Sequence, residues 1–194
     1  MTLKVVLVYG SVRENRQGIK AARFMKKKLE ERGYEVNFID PKEWGLPLLE
    51  KMYKSYDEDQ APEKLQKLQK IIDEADGYIL VSAEYNHGPP AALKNLLDHF
   101  LEEYYTKASA LVTYSAGSFG GVRAAVEWRA ILSEMGMPSI PTVLPIPKVQ
   151  DAFDDDGSPQ DEKYHERAEK FLSEFEWYAM ALKQKREAEG KPNE

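Results

Sequence analysis

Apolar residues fall along this chain in two alternating regimes. Residues 3–9 are apolar or β-branched at nearly every position, the pattern of a strand buried on both faces. Residues 17–32 carry Ile19, Ala22, Met25 and Leu29 at helical spacing, and Gly33 stands where a C-cap would. Residues 34–39 read as a second strand, ended by Asp40-Pro41, and residues 41–61 as a long irregular segment. A helix is predicted over 62–75 with Pro62 in its first turn, and a third buried strand over 77–82. Residues 89–103 place Leu93, Leu96, Leu97 and Phe100 on one helical face. Residues 109–114 form a fourth strand, 120–136 contain a helix, and 140–144 form a fifth strand between prolines. A Pro- and Asp-rich loop over 145–160 precedes a long helix with Tyr164, Ala168, Phe171, Phe175, Tyr178 and Leu182 along its stripe. Residues 183–194 are nearly all polar and are expected to fray.

Apolar strands alternating five times with amphipathic helices imply an α/β domain whose parallel sheet is covered on both faces. No repeat and no second domain is visible. In such open sheets ligands sit beyond the carboxyl ends of the strands, at a switch in strand order. Chemistry is therefore to be sought in the loops after strands 1, 3 and 4.

Composition narrows the chemistry. The 194 residues include no cysteine, which excludes disulfides, thiolate metal sites and a cysteine nucleophile. With 27 Lys+Arg against 33 Asp+Glu the net charge is −6, against the basic face of a nucleic-acid binder. The apolar run before Gly10 is too short for a signal peptide or a membrane span, and no other stretch approaches ~18 apolar residues. The expectation is a soluble, cytoplasmic protein with no membrane or nucleic-acid partner.

The first loop runs Gly10-Ser11-Val12-Arg13-Glu14-Asn15-Arg16-Gln17-Gly18. It sets a hydroxyl, two guanidiniums and backbone N–H groups at a helix N-terminus, the parts of a phosphate site. It lacks Gly-x-Gly-x-x-Gly and Gly-Lys-Ser/Thr, so a terminal monophosphate fits better than a pyrophosphate. The alternative is a solvated arginine pair at a helix start. The second loop, Ala83-Glu84-Tyr85-Asn86-His87-Gly88-Pro89-Pro90, can offer a planar heterocycle a ring edge and backbone N–H groups. His87 is an acid–base candidate, though a lone histidine in a turn is more often structural or solvated. The third, Ser115-Ala116-Gly117-Ser118-Phe119-Gly120-Gly121, allows close approach of backbone to a ligand. It is not a hydrolase elbow, because Ala116 stands at the first glycine position. The Asp154-Asp155-Asp156-Gly157 run fails the calcium-loop register, which would put Ala152 and Lys163 at ligand positions. The three histidines lack metal-ligand spacing, so no metal site and no catalytic triad is expected.

Together the loops resemble the NADPH-dependent FMN reductase family, within the flavodoxin-like superfold. Gly10-Ser11-x-Arg13 is similar to its phosphate-loop opening, and Glu84-Tyr85-Asn86-His87-Gly88 with Leu93-Lys94-Asn95 to its most specific signature. Ser115 and Gly117 through Gly120-Gly121-x-Arg123-Ala124 are similar to its third loop. Two positions depart from the family pattern: Ala83 where proline is usual, and Pro90-Ala91 where Pro-Gly is usual.

The resemblance implies a three-layer sandwich with strand order 2-1-3-4-5. Residues 1–182 would form one FMN-binding domain, and 183–194 a polar tail. Ser11, Arg13, Arg16, Gln17, Gly18 and Ile19 would hold the FMN phosphate and ribityl chain. Glu84, Tyr85, Asn86 and His87 would line the isoalloxazine ring, with Ser115, Gly117 and Gly120 closing its other side. The activity implied is hydride transfer from NADPH or NADH through bound flavin to a small two-electron acceptor (quinone, azo compound or free flavin) by a ping-pong mechanism. A homodimer or homotetramer is implied as well. Trp44, Tyr53, Tyr56 and the Phe171, Phe175, Trp177, Tyr178 cluster are the chain's own candidates for the subunit contact. The competing readings are a flavodoxin-like FMN electron carrier and a non-catalytic interaction protein on the same fold.

Overall fold

The computed structural model describes residues 2–57 and 60–192. Five strands, β1 (Lys4–Tyr9), β2 (Glu35–Ile39), β3 (Gly77–Ala83), β4 (Ala108–Tyr114) and β5 (Ser139–Ile146), pair in parallel in the order β2-β1-β3-β4-β5. Every residue of β3 and β4 is buried, which is why those segments carry no polar alternation. On β5, Pro141 and Pro145 are tolerated because this is an edge strand, and the register slips between Ser109 and Leu111 where it pairs with β4.

Helices α1 (Ile19–Glu31) and α7 (Lys163–Glu189) cover one face of the sheet. The other is covered by α3 (Glu63–Glu74), α4 (Ala91–Asp98) and α5 (Val122–Glu134). Two short helices, α2 (Pro41–Trp44) and α6 (Val149–Ala152), occupy segments expected to be irregular. Asp40 caps α2 by accepting the Lys42 N–H at 3.0 Å, with Pro41 at the first helical position. Strand alternation divides the core. Val5, Leu7, Ile79, Val81, Ala110 and Val112 meet α1 and α7, while Val6, Val8, Tyr78, Leu80 and Leu111 meet the other three helices.

The predicted helix over 89–103 is shorter, ending at Asp98 before a 3₁₀ turn at Glu102–Tyr104. The final helix, by contrast, continues to Glu189, past Lys183, where fraying was expected. Its polar end is tied to the amino edge of the sheet. Lys183 donates to buried Asp76 at 2.8 Å, and Arg186 to the Thr106 carbonyl at 2.5 Å. The aromatic residues considered for a subunit contact are largely internal. Phe171 and Phe175 are core residues, and Trp44, Tyr53 and Tyr56 pack on the α3/α4 side. Trp177 is 68% exposed.

Lys107 lies at the same amino edge, 3% exposed, and donates to the Ile72 and Asp73 carbonyls at 2.9 and 2.6 Å. Burial pulls its ammonium down from 10.5 to about 8. Below pH 8 the lysine is charged in both folded and unfolded chains, and burying that charge is a cost. Between about 8 and 10.5 the unfolded chain keeps the proton and the folded chain releases it, so stability rises with pH. Urea unfolding of the wild type minus that of Lys107→Met should therefore change across this window with a slope of at most about 1.4 kcal/mol per pH unit. Parallel pH profiles for the two proteins would contradict it.

Candidate flavin site

The loops after β1, β3, β4 and β5 meet at the carboxyl edge around a cleft of about 190 Å³. Of the residues expected there, Ser11, Arg13, Arg16, Gln17, Gly18, Glu84, Tyr85 and Ser115 line it. Asn15, Ala83, Tyr114, Ala116, Val149 and Gln150 complete the wall. Ile19, Asn86, His87, Gly117 and Gly120 are not among the lining residues. Ile19 instead packs on the α1/α7 core.

One end of the cleft is formed by the start of α1. Gly18 precedes this 13-residue helix, no side chain caps it, and its first turn contains no acidic residue. Orphan N–H groups and the positive end of the helix dipole are thus left for an anion. A Cβ at Gly18 would overlap the Tyr114 ring that lies against this turn, so any side chain there would have to displace the ring. Ser11, 1% exposed, holds its Oγ 2.7 Å from the Tyr85 hydroxyl and accepts the Arg13 N–H at 3.3 Å.

The two arginines do different work. Arg16 forms a two-pronged pair with Asp40, Nη1 to Oδ1 at 2.6 Å and Nη2 to Oδ2 at 2.5 Å, and also donates to the Ser11 carbonyl at 3.0 Å. Its guanidinium lies 5.2 Å from the centre of the Tyr9 ring. Arg16 therefore pins the first loop to the end of β2, with its fork already occupied. Arg13 is exposed, lies 5.9 Å above the Tyr85 ring, and has no carboxylate partner among the described residues.

Below the cleft the Tyr9 and Tyr114 rings stack with centroids 6.3 Å apart, and the Tyr114 hydroxyl donates to that of Tyr9 at 3.3 Å. Burial pushes Tyr9 up to about 12 and Tyr114 well above its ordinary value. Both stay protonated hydroxyls at neutral pH. Neither was singled out from the sequence. The available signal was position, since each ends a strand whose following loop was recognised.

Asn86 and His87 are the two central residues of a tight turn, φ 51° and 67°, closed by reciprocal hydrogen bonds of 3.0 Å between Tyr85 and Gly88. Positive φ at both positions is the geometry of a type I′ turn. Both side chains are exposed at its tip. Glu84 points away from the first loop: its Oε2 accepts the Arg123 and Ala124 N–H groups of α5. In the third loop Ser115 Oγ donates to the Gly117 carbonyl at 3.0 Å, and Gly120 accepts from Thr113 Oγ1 at 2.8 Å.

The donor set fits a flavin mononucleotide. An uncapped helix start, the Arg13 guanidinium and the Ser11 hydroxyl suit a terminal phosphate, while Ala83, Tyr85, Tyr114, Ala116 and Val149 give apolar wall. These features are those of an α/β mononucleotide-binding fold, whose strand order reverses between β1 and β3, beside this cleft. Residues 3–151 match the family described as NADPH-dependent FMN reductase, and the chain belongs to that family. It is an oxidoreductase using FMN and NAD(P)H. It is 29% identical over 148 residues to the NAD(P)H-dependent FMN reductase LOT6 of Saccharomyces cerevisiae, covering 70% of this chain and 76% of that one. It is 31% identical over 134 residues to a quinone reductase of Escherichia coli, covering 67% and 69%. Among solved structures, the flavoenzyme NAD(P)H:(acceptor) oxidoreductase FerB of Paracoccus denitrificans superposes with a TM-score of 0.73 at 23% identity, over 93% of this chain and 99% of that one. That likeness carries the flavodoxin-like fold.

The Arg16–Asp40 pair can be tested by stability. Asp40→Ala would leave the Arg16 charge, 16% exposed, facing an empty site. Breaking a buried pair from one side costs about 3–5 kcal/mol, and the partial exposure of Arg16 puts the expected loss near ~3 kcal/mol. An Asp40→Ala variant melting with the wild type would show the pair to be dispensable.

Proposed function

We propose that this chain is an NAD(P)H-dependent reductase that passes electron pairs through FMN to small two-electron acceptors, namely quinones, azo compounds or free flavins, by a ping-pong mechanism. The observation that carries the reading is the division of labour between the arginines: Asp40 occupies Arg16, and Arg13 stands beside the uncapped start of α1 with Ser11 below it. Bound FMN supplies the redox chemistry, taking a hydride from the nicotinamide and returning two electrons to the acceptor. The chain's own residues bind and orient. Arg13, Ser11, Gln17 and the N–H groups of α1 take the phosphate, and Arg16 and Gly18 shape that loop. Tyr85 with Ser115 borders the ring, and Asn86, His87, Gly117 and Gly120 contribute through the turns that carry them. Ile19 acts by packing α1 onto the core.

The absence of any expected protein nucleophile follows from this assignment. Donor and acceptor would visit the same cleft in turn, which excludes a ternary complex. Double-reciprocal plots across acceptor concentrations should be parallel, and intersecting lines would reject the mechanism. Anaerobic NADPH or NADH should bleach the bound flavin; a spectrum unmoved by both would favour the electron-carrier reading. Arg13→Ala should weaken FMN by about 1.5–3 kcal/mol, ten- to a hundredfold, with riboflavin affinity unchanged. Equal FMN affinity in that variant would remove Arg13 from the phosphate site.

The same reading makes the enzyme a homodimer or homotetramer in the cytoplasm, where reduced nicotinamides are generated. Supporting the subunit contact is an apolar groove of about 480 Å³ that includes Leu49, Met52, Leu101, Ala130 and Ile131, with Val126 66% exposed on the same helix. Light scattering at micromolar concentration should give at least twice the chain mass of 22.2 kDa; a monomeric mass would reject it.

A further inference from the structure

Helix α5 begins without a cap of its own. The residue before it, Gly121, sits at φ 80°, and no side chain at that position meets the helix N–H groups. Glu84, from the loop after β3, meets them instead. Its Oε2 accepts from Arg123 N–H at 3.0 Å and Ala124 N–H at 3.3 Å, and its Oε1 lies 3.6 Å from Arg123 Nη1. The carboxylate is 9% exposed, and the Glu84 backbone N–H donates to the Tyr114 carbonyl at 3.1 Å. One position later the alternation of an extended chain sends Tyr85 to the opposite face, where its hydroxyl meets Ser11 Oγ at 2.7 Å. Two consecutive side chains therefore tie the loop after β3 to the loops after β4 and β1.

We propose that Glu84 is a positioning residue of the flavin slot: by capping α5 it fixes the distance between the 83–90 and 115–121 loops, and it does not act as a ligand of the ring. The proposal rests on the flavin reading above and replaces the ring-contact role that the family resemblance implies for this side chain. A carboxylate at a helix start is held both by the orphan N–H groups and by the helix dipole. That makes it a firmer strut than a contact between two mobile loops. Because α5 carries the third loop at its N-terminus, releasing the cap frees the wall that faces Tyr85. Ring binding should suffer, whereas the phosphate site at α1, held separately by Arg16–Asp40, should not.

The test compares FMN and riboflavin binding, followed by quenching of flavin fluorescence, in wild type, Glu84→Ala, Glu84→Gln and Arg13→Ala. Losing a cap that orders a binding wall should weaken both flavins by the same factor, about tenfold, in Glu84→Ala. Glu84→Gln keeps an oxygen that accepts both N–H groups and should recover to within about threefold. Amide exchange at Arg123 and Ala124 should accelerate in Glu84→Ala and stay slow in Glu84→Gln. Arg13→Ala should weaken FMN alone. Unchanged flavin affinity in Glu84→Ala would overturn the proposal, as would a loss confined to FMN, or a Gln variant as poor as Ala, which would point to direct contact with the ring. If Glu84→Ala does not fold, Glu84→Gln and Glu84→Asp decide: Asp keeps the charge but falls one methylene short, and it must bind both flavins less well than Gln. A wild type that bound neither flavin would remove the flavin reading itself, a result distinct from any of these.

Discussion

A parallel sheet buried on both faces leaves only its two ends for polar chemistry. Every residue of β3 and β4 is inaccessible, so an unpaired charge along them would cost more than the domain's net stability allows. The buried carboxylates Asp40 and Asp76 and the buried ammonium of Lys107 accordingly lie at the two ends of the sheet, and the two ends are used differently. At the amino edge, Lys183 and Arg186 fasten α7 through Asp76 and the Thr106 carbonyl, and Lys107 is held by carbonyls of α3. At the carboxyl edge some donors are left over. The start of α1 has no cap and Arg13 has no carboxylate partner among the described residues. Leftover donors in a confined place are what an anionic ligand requires.

Those donors are useful only because the loops bearing them are held. Each loop is tied by a side chain belonging to another element: the first to β2 through Arg16–Asp40, the second to the first through Tyr85–Ser11, and the second to α5 through Glu84. The arrangement separates binding from scaffolding within single motifs. Ser11-x-Arg13 lines the cleft and is proposed to take the ligand, while Arg16, three residues on, is spent on Asp40. Glu84 and Tyr85 divide the same way between two faces of the sheet.

This division explains what the sequence discloses and what it withholds. Strand burial, helix periodicity and turn chemistry are local, and the sheet order follows from the family those local features resemble. The three loops were legible because Gly, Ser, Asn and Arg cluster at strand ends. The partners of Arg16 and Glu84 were not, since Asp40 is 24 residues away and the α5 amides 39 and 40, and spacing carries no record of such contacts. Tyr9 and Tyr114 read as ordinary strand aromatics. The last turns of α7 looked frayed because their stability comes from Asp76 and Thr106, distant in sequence, and not from an apolar stripe.

The Tyr114–Gly18 contact carries the argument one step further. The ring lies where any side chain at position 18 would be, so the turn that starts α1 can approach it only as glycine. In exchange the floor of the cleft gains a flat surface of two phenols, neutral at pH 7 as ordinary tyrosines are and held further from ionising by burial. A floor of neutral hydroxyls does not repel an anion, whereas a carboxylate there would. In the proposed site the positive end of α1 and the Arg13 guanidinium would then act on a phosphate without opposition from below. Of the carboxylates nearby, Asp40 is cancelled by Arg16 in a two-pronged pair and Glu84 is held by the N–H groups at the start of α5. The electrostatic character of the cleft is thus set as much by what has been neutralised around it as by the arginine that, among the described residues, has no carboxylate partner.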